Sequence, residues 1–405
     1  MRVAMLALHS SPVARPGGRN TGGMNVYVRE LSARLAARGH EVDVFTAGGP
    51  QADEVAPGVR LLRLGVDFAG DAYAPALPAL LEAAREVATG RRYDLVHSHY
   101  WVSAWVGERL AAEWSVPQVV MFHTLAQVKL RARLTEREAV ARIEAEDLAV
   151  RHADAIVAAT EDERRQLVRW YGAERERVHI IPCGVDTARF RPVDRAAARA
   201  YLGLPECGAI VLYVGRLEPL KGVDLFIEAA GRIEWRDVTV LVVGGDDPGS
   251  PHRAELEARA RELGLGERVR FVGSVPHEDL PAYYSAADVT VVPSYYESFG
   301  LVAVESMACG TPVVASRVGG LTGTVLDGRT GYLVPWRCPE PFADRIETLL
   351  ANEELREGLG RAGVEAVQQY AWERIAERID ELYRELVAGS ACGSGRRAGA
   401  PVPCR

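Results

Sequence analysis

The sequence predicts an α/β protein with two doubly wound parallel-sheet domains, a cleft between them and a C-terminal helix. Two observations support this prediction. Short apolar runs alternate with amphipathic helical patterns over most of the 405 residues, and the runs are apolar at nearly every position. Such runs are typical of parallel strands that helices cover on both faces. The alternation pauses once, at residues 182–186, and then restarts, so we expect two units joined near residues 182–195.

Residues 1–185 are expected to form the first domain. Apolar residues at helical spacing predict one helix over residues 26–38, which Gly39 ends, and another over residues 77–88. The candidate strands of this domain are residues 3–7, 42–45, 61–64, 95–97, 118–122, 155–158 and 179–181.

Residues 186–370 are expected to form the second domain, followed by a helix and a tail. An amphipathic pattern over residues 373–386 predicts the helix, which we place in the segment 371–388. Residues 389–405 are rich in Gly, Ser, Ala, Pro and Arg without an apolar period, which predicts a disordered tail. The candidate strands of the second domain are residues 210–214, 238–243, 269–272, 289–292 and 312–315.

The composition excludes several classes of function. The chain has 48 Lys and Arg against 55 Asp and Glu, a net charge of −7, whereas a nucleic-acid binder normally has a basic excess. Its longest apolar runs, such as residues 238–243, are far shorter than the ~18 residues of a membrane span. Residues 1–9 hold too short an apolar run for a secretory signal, and the six cysteines include no Cys-x-x-Cys pair. We therefore expect a reduced, cytoplasmic chain without a transmembrane segment, and a homodimer stays open.

Candidate ligand-binding residues follow the strands, because ligands bind at the carboxyl ends of strands in open α/β sheets. After the first strand come His9 and a loop with Gly22, Gly23 and Asn25 at the start of a helix. Glycine lets a backbone approach a phosphate or sugar closely, and a helix start offers unpaired N–H groups. The spacing fits neither a dinucleotide nor a Walker motif, and an ordinary strand-to-helix turn is the alternative.

Two cations begin a helix in the second half of the chain. Arg216 and Lys221 stand five residues apart after the strand at residues 210–214. Arg can hold two anion oxygens while Lys acts as a point charge, so the pair predicts a compact anion site. A solvated surface loop is the alternative interpretation.

Two glutamates follow the strand at residues 289–292. Glu297 is expected in the loop after that strand, and Glu305 about one turn into the next helix. Two carboxylates in one cleft can each accept paired hydroxyls, as from a sugar or a ribose. A carboxylate on an apolar helix also needs a partner. A helix cap or a salt-bridged pair is the alternative.

Histidines also stand at strand ends. His97 and His99 alternate at one strand end, and His123 follows another. No third ligand at metal spacing is evident, so we expect no zinc site. His123, Thr124 and Lys129 fall in the predicted cleft, whereas Tyr100 fits packing and ligand contact equally well.

These motifs together resemble those of the retaining, nucleotide-sugar-dependent glycosyltransferases of group 1. The resemblance covers residues 1–388 and is carried by residues 182–186, 215–222 and, most specifically, 297–305, the family's pair of glutamates. It implies the GT-B fold, with two Rossmann-like domains and a site in the interdomain cleft. It also implies an enzyme, a hexosyltransferase, that uses a nucleotide sugar and a small polar acceptor.

Within that family, residues 22–28, 98–101 and 122–129 are similar to the D-inositol 3-phosphate glycosyltransferases of the mycothiol pathway. They are nearly as similar to the sucrose-phosphate synthases. The first group joins N-acetylglucosamine from UDP-GlcNAc to inositol phosphate, and the second joins glucose from UDP-glucose to fructose 6-phosphate. The resemblance therefore implies transfer of GlcNAc or glucose, from a donor expected to be UDP-linked, to an inositol or sugar phosphate.

The resemblance also implies a role for each candidate residue. The donor diphosphate would be bound by Arg216 and Lys221 beside Gly23, the ribose by Glu305, and the transferred sugar by Glu297. His123 would contact the sugar near the reacting carbon, so the catalytic set is His123, Arg216, Lys221 and Glu297. The acceptor-side residues would be His9, Asn25, Tyr100, Thr124, Lys129 and Arg142.

Two features set expectations for charge in the site. The inositol-phosphate enzymes have a lysine in the stretch aligned with residues 65–78, where this chain has neither Lys nor Arg. In the first loop the difference is reversed, because those enzymes have uncharged residues where this chain has Arg15 and Arg19. Lys129, Arg131 or Arg133 is expected to supply the missing charge. No Asp-x-Asp pair stands at a strand end, so we expect no essential metal and no cofactor, and we interpret Asp246-Asp247 as a polar loop.

Three other functions stay open on the same fold. A nucleotide-sugar epimerase would convert the donor without an acceptor, and a phosphorylase would release sugar phosphate when phosphate is present. A non-catalytic module would bind the nucleotide sugar and give no product. The presence of His123, Arg216, Lys221 and Glu297 together argues against a loss of transfer.

Overall fold

The computed structural model describes residues 1–14, 22–48, 54–68, 73–132, 138–245 and 251–391. Its strands form two sheets, one in each half of the chain, with helices between most consecutive strands. The predicted tail beyond Ala391 and several residues singled out in the sequence lie outside the described residues, namely Arg15, Arg19, Arg133, Asp246 and Asp247.

The first sheet has eight strands in the order β3-β4-β2-β1-β5-β6-β7-β8. Every neighbouring pair is parallel except β3 with β4. Residues Val3 to Leu6 in β1 are fully buried, because strands pair on both sides and helices cover both faces. The strands are β1 Arg2–Leu6, β2 Glu41–Thr46, β3 Glu54–Ala56, β4 Val59–Arg63, β5 Leu95–His99, β6 Gln118–Met121, β7 Ala155–Ala158 and β8 Val178–Ile180.

The second sheet has six parallel strands in the order β11-β10-β9-β12-β13-β14. In both sheets the strand order reverses beside the first strand of the unit, which opens a crevice at the carboxyl ends. The strands are β9 Ala209–Val214, β10 Val238–Val243, β11 Val269–Gly273, β12 Val289–Val292, β13 Val313–Ser316 and β14 Gly331–Val334.

Helices connect the strands and cover the two sheets. In the first half they are α1 Gly23–Ala37, α2 Leu77–Ala88, α3 Tyr100–Trp114, α4 Ala126–Ala132, α5 Val140–His152 and α6 Glu161–Tyr171. In the second half they are α7 Arg195–Tyr201, α8 Val223–Ala230, α9 Pro251–Glu262, α10 Leu280–Ala286, α11 Leu301–Ala308, α12 Leu321–Thr324, α13 Pro339–Ala351, α14 Glu353–Ala366 and α15 Trp372–Ala391.

The two-sheet α/β architecture predicted from the sequence is confirmed. Strands β3 and β14 were not predicted. β3 is a three-residue antiparallel edge strand that begins with a charged residue, so it lacks the buried apolar run by which the others were found. β14 follows directly after the turn at residues 328–330, and its first residue, Gly331, is of a type more typical of turns than of strands.

The last helix, α15, packs against the first half of the chain, chiefly on α1, although it follows the second sheet. Trp372 at its start is buried against Gly184, where a Cβ atom would lie 2.3 Å from the indole ring. Farther along, Asp380 is 2.9 Å from the Nε2 atom of buried His40. The helix also continues through Gly389 to Ala391, so the predicted tail began three residues too early. The Ser390 hydroxyl donates to the Leu386 carbonyl one turn earlier in the helix.

A buried glutamate caps the start of α6. The Glu163 amide donates to the hydroxyl of the N-cap residue Thr160 at 3.2 Å. One Glu163 carboxylate oxygen accepts the Ala159 amide at 2.7 Å, and the other has no hydrogen-bond partner among the described residues. Burial raises the pKa of this carboxyl to about 7.

We expect Glu163→Gln to stabilise the protein at pH 8 by roughly 3 kcal/mol and to have little effect at pH 4.5. The pKa of Glu163 is higher in the folded than in the unfolded state. Ionising Glu163 therefore costs more free energy in the folded than in the unfolded state. The stability of the wild-type protein is fully present at low pH, where Glu163 is protonated in both states, and falls as the pH rises toward 7. Urea unfolding at both pH values measures this. A gain in stability of equal size at both pH values would contradict this prediction. The control variant is Glu161→Gln, because Glu161 is an exposed glutamate in the same helical turn.

Candidate functional site

A cleft of about 740 Å³ lies between the carboxyl ends of the two sheets. Its size is in the range of small-molecule sites. The twelve residues to which the resemblance assigns a role all line it, although they come from both halves of the chain. They are His9, Gly23, Asn25, Tyr100, His123, Thr124, Lys129, Arg142, Arg216, Lys221, Glu297 and Glu305.

The two predicted anion-binding cations project from the loop after β9. Lys221 Nζ is 2.5 Å from a Glu297 oxygen, and an Arg216 terminal nitrogen is 2.5 Å from Glu218. Both cationic side chains are partly exposed, 27% for Lys221 and 34% for Arg216. Gly22 lies across the cleft, where a Cβ atom would be 3.9 Å from Arg216 Nε. The cations of the second half therefore face the first loop of the other half.

Two helix starts meet beside these cations. Helix α1 begins at Gly23, where a Cβ atom would lie 2.8 Å from the Leu301 side chain at the start of α11. Gly300 precedes α11 with a φ of 91°, and no side chain caps that helix. The first N–H groups of a helix have no intrahelical acceptor and favour an anion. Two cations and two helix starts thus converge on one part of the cleft.

The two glutamates lie at this same end and have different partners. Glu297 accepts hydrogen bonds from Lys221 and, at 3.2 Å, from the Ser294 hydroxyl. Glu305 is buried on α11 and accepts the Tyr284 hydroxyl at 2.8 Å. The Nε2 atom of His277 is 3.1 Å from its other oxygen.

Sequence reasoning required a partner for Glu305 but did not identify one. His277 follows a proline just before α10, and Tyr284 lies within that helix among apolar residues. Tyr284 lies inside a helix and not after a strand, which was the position used to find candidate residues. His277 does lie in the loop after β11, but no motif in the sequence pointed to it.

Glycines hold the Glu297 loop close to the segment that follows β13. A Cβ atom on Gly320 would lie 2.1 Å from the Ser298 carbonyl oxygen, and one on Gly319 would lie 2.1 Å from the Glu297 carbonyl oxygen. The Gly320 amide donates to that Glu297 oxygen at 2.8 Å. No larger residue fits at these two positions without moving the loop. The close approach that this glycine pair allows is a contact with protein backbone.

Three histidines meet on the other side of the cleft. His99 Nδ1 is 3.0 Å from His123 Nε2, and the rings of His97 and His99 are 4.2 Å apart. Burial lowers the pKa of His97 and of His123 to about 3, and it lowers that of His99 well below its usual value. The imidazoles are therefore neutral near pH 7.

The sequence spacing did not predict that His97, His99 and His123 would meet. They come together because β5 and β6 are parallel neighbours, with His99 opposite Met121, the last residue before the loop that holds His123. Among the described residues, no group of three or more His, Cys, Asp or Glu side chains has a metal-binding arrangement.

Two residues of the cleft have a left-handed backbone that is rare outside glycine. Tyr100 has a φ of 72° and His123 a φ of 61°. Such backbone costs on the order of 1–3 kcal/mol and is typical of functional sites. The Tyr100 ring packs against the His9 ring, with centroids 4.1 Å apart, and lies under the Arg142 guanidinium at 4.8 Å.

A buried charge network surrounds Arg142, beside Thr124 and Tyr100. Arg142 donates to Glu138 at 2.9 Å, to Glu146 at 2.8 Å and to the carbonyl and hydroxyl oxygens of Thr124 at 3.0 and 3.1 Å. Lys129 Nζ is 2.5 Å from Glu138 and has further protons to donate. Arg131 does not line the cleft, since its guanidinium stacks on Trp170 at 4.7 Å. Of the cations expected to replace the missing lysine, Lys129 therefore lies at the cleft.

Asn25 was expected to contact the acceptor, but in the structure its side chain bonds to the protein itself. Its amide nitrogen donates to the Ser10 hydroxyl and to the Ser11 carbonyl, each at 2.7 Å, and its oxygen accepts the Gly22 amide at 2.9 Å. Both amide protons are thus used to hold the loop before α1. The structure gives Asn25 a role in shaping that loop, and its contact with an acceptor stays a prediction.

Comparisons with known proteins agree with this architecture. A family model described as "Glycosyl transferases group 1" matches residues 194–366, and one described as "Glycosyltransferase Family 4" matches residues 21–189. The D-inositol 3-phosphate glycosyltransferase of Kribbella flavida is 42% identical over 407 residues, which cover 95% of each chain. That of Acidothermus cellulolyticus is also 42% identical and covers 99% of this chain and 94% of its own.

Solved structures also superpose on this chain. Sucrose-phosphate synthase from Thermosynechococcus elongatus superposes with a TM-score of 0.90 and 39% identity over 96% of this chain and 99% of its own. Anabaena HepE in complex with UDP and glucose superposes with a TM-score of 0.77 and 23% identity over 95% and 100%, which shows a shared fold. In the described part of the chain, no helix is both long and apolar enough to cross a bilayer.

Proposed function

We infer the reaction of this chain from the fact that it belongs to the group 1 glycosyltransferases and has their GT-B fold of two Rossmann-like domains. We propose that it transfers a hexosyl unit, GlcNAc or glucose, from a UDP-linked donor to a small hydroxylated acceptor, with retention of configuration. The observation that carries the proposal is the convergence of Arg216, Lys221 and two helix starts beside Glu297 and Glu305 in one cleft.

The leaving diphosphate is the group that this end of the cleft stabilises best. In a front-face displacement the anomeric carbon becomes oxocarbenium-like, while negative charge grows on the diphosphate. Fixed donors aimed at such a charge are worth several kcal/mol because they need no reorganisation. Arg216, Lys221 and the N–H groups at the start of α11 supply them, and we propose that no metal ion is essential.

The remaining donor contacts follow from the carboxylates. Glu305 is held by Tyr284 and His277, and its free lone pairs suit the hydroxyls of the ribose. Glu297 bonds to Lys221, so a sugar hydroxyl bound by Glu297 lies close to the cation that holds the diphosphate. His123, from the other half of the chain, contacts the sugar near the reacting carbon.

Inositol phosphate is the acceptor that we propose, because the D-inositol 3-phosphate glycosyltransferases match over nearly the whole chain. Lys129 beside Arg142 supports a phosphorylated acceptor, although Glu138 offsets part of their charge. Transfer to fructose 6-phosphate is a second candidate, favoured by the TM-score of 0.90 with a sucrose-phosphate synthase.

A transfer assay across UDP-, GDP- and ADP-linked GlcNAc and glucose, with inositol 3-phosphate or fructose 6-phosphate, tests the proposal. We expect one UDP-sugar and inositol 3-phosphate to give a product with the anomeric configuration of the donor, read by NMR. An inverted product would contradict retention. Conversion of the donor without an acceptor would indicate an epimerase. Formation of sugar phosphate in the presence of phosphate would indicate a phosphorylase. Binding of UDP without any product would indicate a non-catalytic binding module.

We expect donor binding to close the cleft. Its walls come from two sheets, and the diphosphate would join the cations of one half to the start of α1 in the other. Small-angle scattering should show a smaller radius of gyration with saturating UDP than without it. The same radius in both states would contradict closure, and Lys221→Ala under the same conditions controls for nonspecific effects of the nucleotide.

A further inference from the structure

The histidines at the cleft form a connected series, which we call the histidine row and define as His97, His99 and His123. His97 Nδ1 is 2.6 Å from the Tyr383 hydroxyl on α15, and the rings of His97 and His99 are in contact. His99 Nδ1 bonds to His123 Nε2 at 3.0 Å. Only His123 of this row lines the cleft, so His99 acts on a substrate only through His123.

Packing fixes the orientation of the rings in the row. The Tyr27 ring meets His99 and His123 edge-on, with centroids 5.5 and 5.3 Å away. His97 and His99 are fully buried. A ring that cannot turn presents the same nitrogen to its neighbour at all times. The His123 nitrogen left for a ligand is therefore Nδ1, because Nε2 bonds to His99.

Each imidazole of the row carries one proton, and its position decides what His123 offers. Burial keeps the pKa of all three rings well below neutral. In the first arrangement, His99 Nδ1–H donates to His123 Nε2, and His123 has its own proton on Nδ1. In the second, His123 Nε2–H donates to His99 Nδ1, and His123 has a bare lone pair on Nδ1.

The two arrangements differ in what they leave unpaired in the interior. His99 Nε2 is buried and has no hydrogen-bond partner among the described residues. The first arrangement leaves a lone pair there, whereas the second leaves an N–H group. Buried N–H groups without an acceptor are rarer in proteins than buried acceptors without a donor. The geometry therefore favours the first arrangement.

We propose that His99 is a positioning residue that holds His123 as its Nδ1–H tautomer, so that His123 presents a hydrogen-bond donor to the substrate. A donor at this point suits an oxygen of the sugar or of the departing diphosphate, on which negative charge develops. The usual partner that orients a histidine is a carboxylate or a carbonyl. Here it is a second neutral imidazole, which orients the ring without raising its basicity. The consequence for turnover rests on the proposed function, whereas the tautomer itself does not.

Nitrogen NMR of the full chain labelled with ¹⁵N-histidine reads the tautomer directly, with His123→Asn to assign the signals. We expect His123 to be protonated at Nδ1 in the wild-type chain. His99→Leu removes the donor, and we expect mixed His123 tautomers and a kcat lower by ~10²-fold. The KM for the UDP-sugar should change much less than kcat. His99→Asn places an amide donor near the position of Nδ1 and should restore both the tautomer and most of kcat.

His97→Asn is the matched control, because His97 is equally buried on the same strand but does not bond to His123. In this variant the His123 tautomer signal and the kcat should resemble those of the wild type. A wild-type His123 protonated at Nε2, or a His99→Leu variant with an unchanged tautomer and kcat, would overturn the proposal. If His99→Leu does not fold, the wild-type and His99→Asn spectra decide alone. If the wild-type chain gives no product with any donor, the proposed function fails while the spectra still decide the tautomer.

Discussion

Lys221→Ala and Arg216→Ala are each expected to lower turnover by ~10²–10³, which is about 3–4 kcal/mol of barrier. In the proposed reaction both cations lie where the leaving diphosphate gains charge, so each loss should fall mainly on the transition state. Steady-state kinetics with the preferred UDP-sugar should show the effect chiefly in kcat.

The two variants together separate two origins of the effect. Lys221 also bonds to Glu297, whereas Arg216 bonds to Glu218. If only Lys221→Ala lost activity, the loss would belong to the position of Glu297, and the diphosphate role would be wrong. Arg232→Ala removes an exposed cation just beyond the other end of α8 and should leave kcat unchanged.

Gly320→Ala is expected to lower kcat/KM by up to ~10²-fold and the free energy of unfolding by ~1–3 kcal/mol. Alanine suits the backbone there, since the φ of Gly320 is −62°. The added methyl would instead lie 2.1 Å from the Ser298 carbonyl oxygen and displace the loop that holds Glu297. A shift of about 1 Å in a positioning group is enough for a loss of this size.

Gly323→Ala is the matched control for this prediction. Gly323 lies in the same short helix, α12, and a Cβ atom there would have no neighbour within 4 Å. We expect wild-type kinetics and an equal or slightly greater stability for this variant. Equal kinetics for Gly320→Ala and Gly323→Ala would show that the loop contact does not control the site.

The sequence predicted the structure best where a continuous stretch of neighbouring residues is buried together. The strands β7, β10 and β12 were predicted with their observed bounds, because each is a continuous apolar run between turn residues. The candidate residues other than Arg142, which only the family resemblance implied, were found by their position after such runs, and parallel strands bring those positions to one edge. The cleft and its lining are a direct consequence of that topology.

The parts that the sequence did not predict depend on contacts between distant elements. That α15 packs on the first half of the chain depends on the space beside Gly184 that accepts Trp372. The Tyr284 bond to Glu305 and the histidine row depend on which helices and strands become neighbours. Asn25 has the residue type of a ligand contact, and only its three hydrogen bonds reveal that it holds a loop.

A crystal structure of the chain with UDP tests the central claim most directly. We predict both phosphates within hydrogen-bonding distance of Arg216 and Lys221, beside the start of α11, with the ribose hydroxyls on Glu305. UDP bound elsewhere, or bound in the cleft with its phosphates away from both cations, would contradict the account.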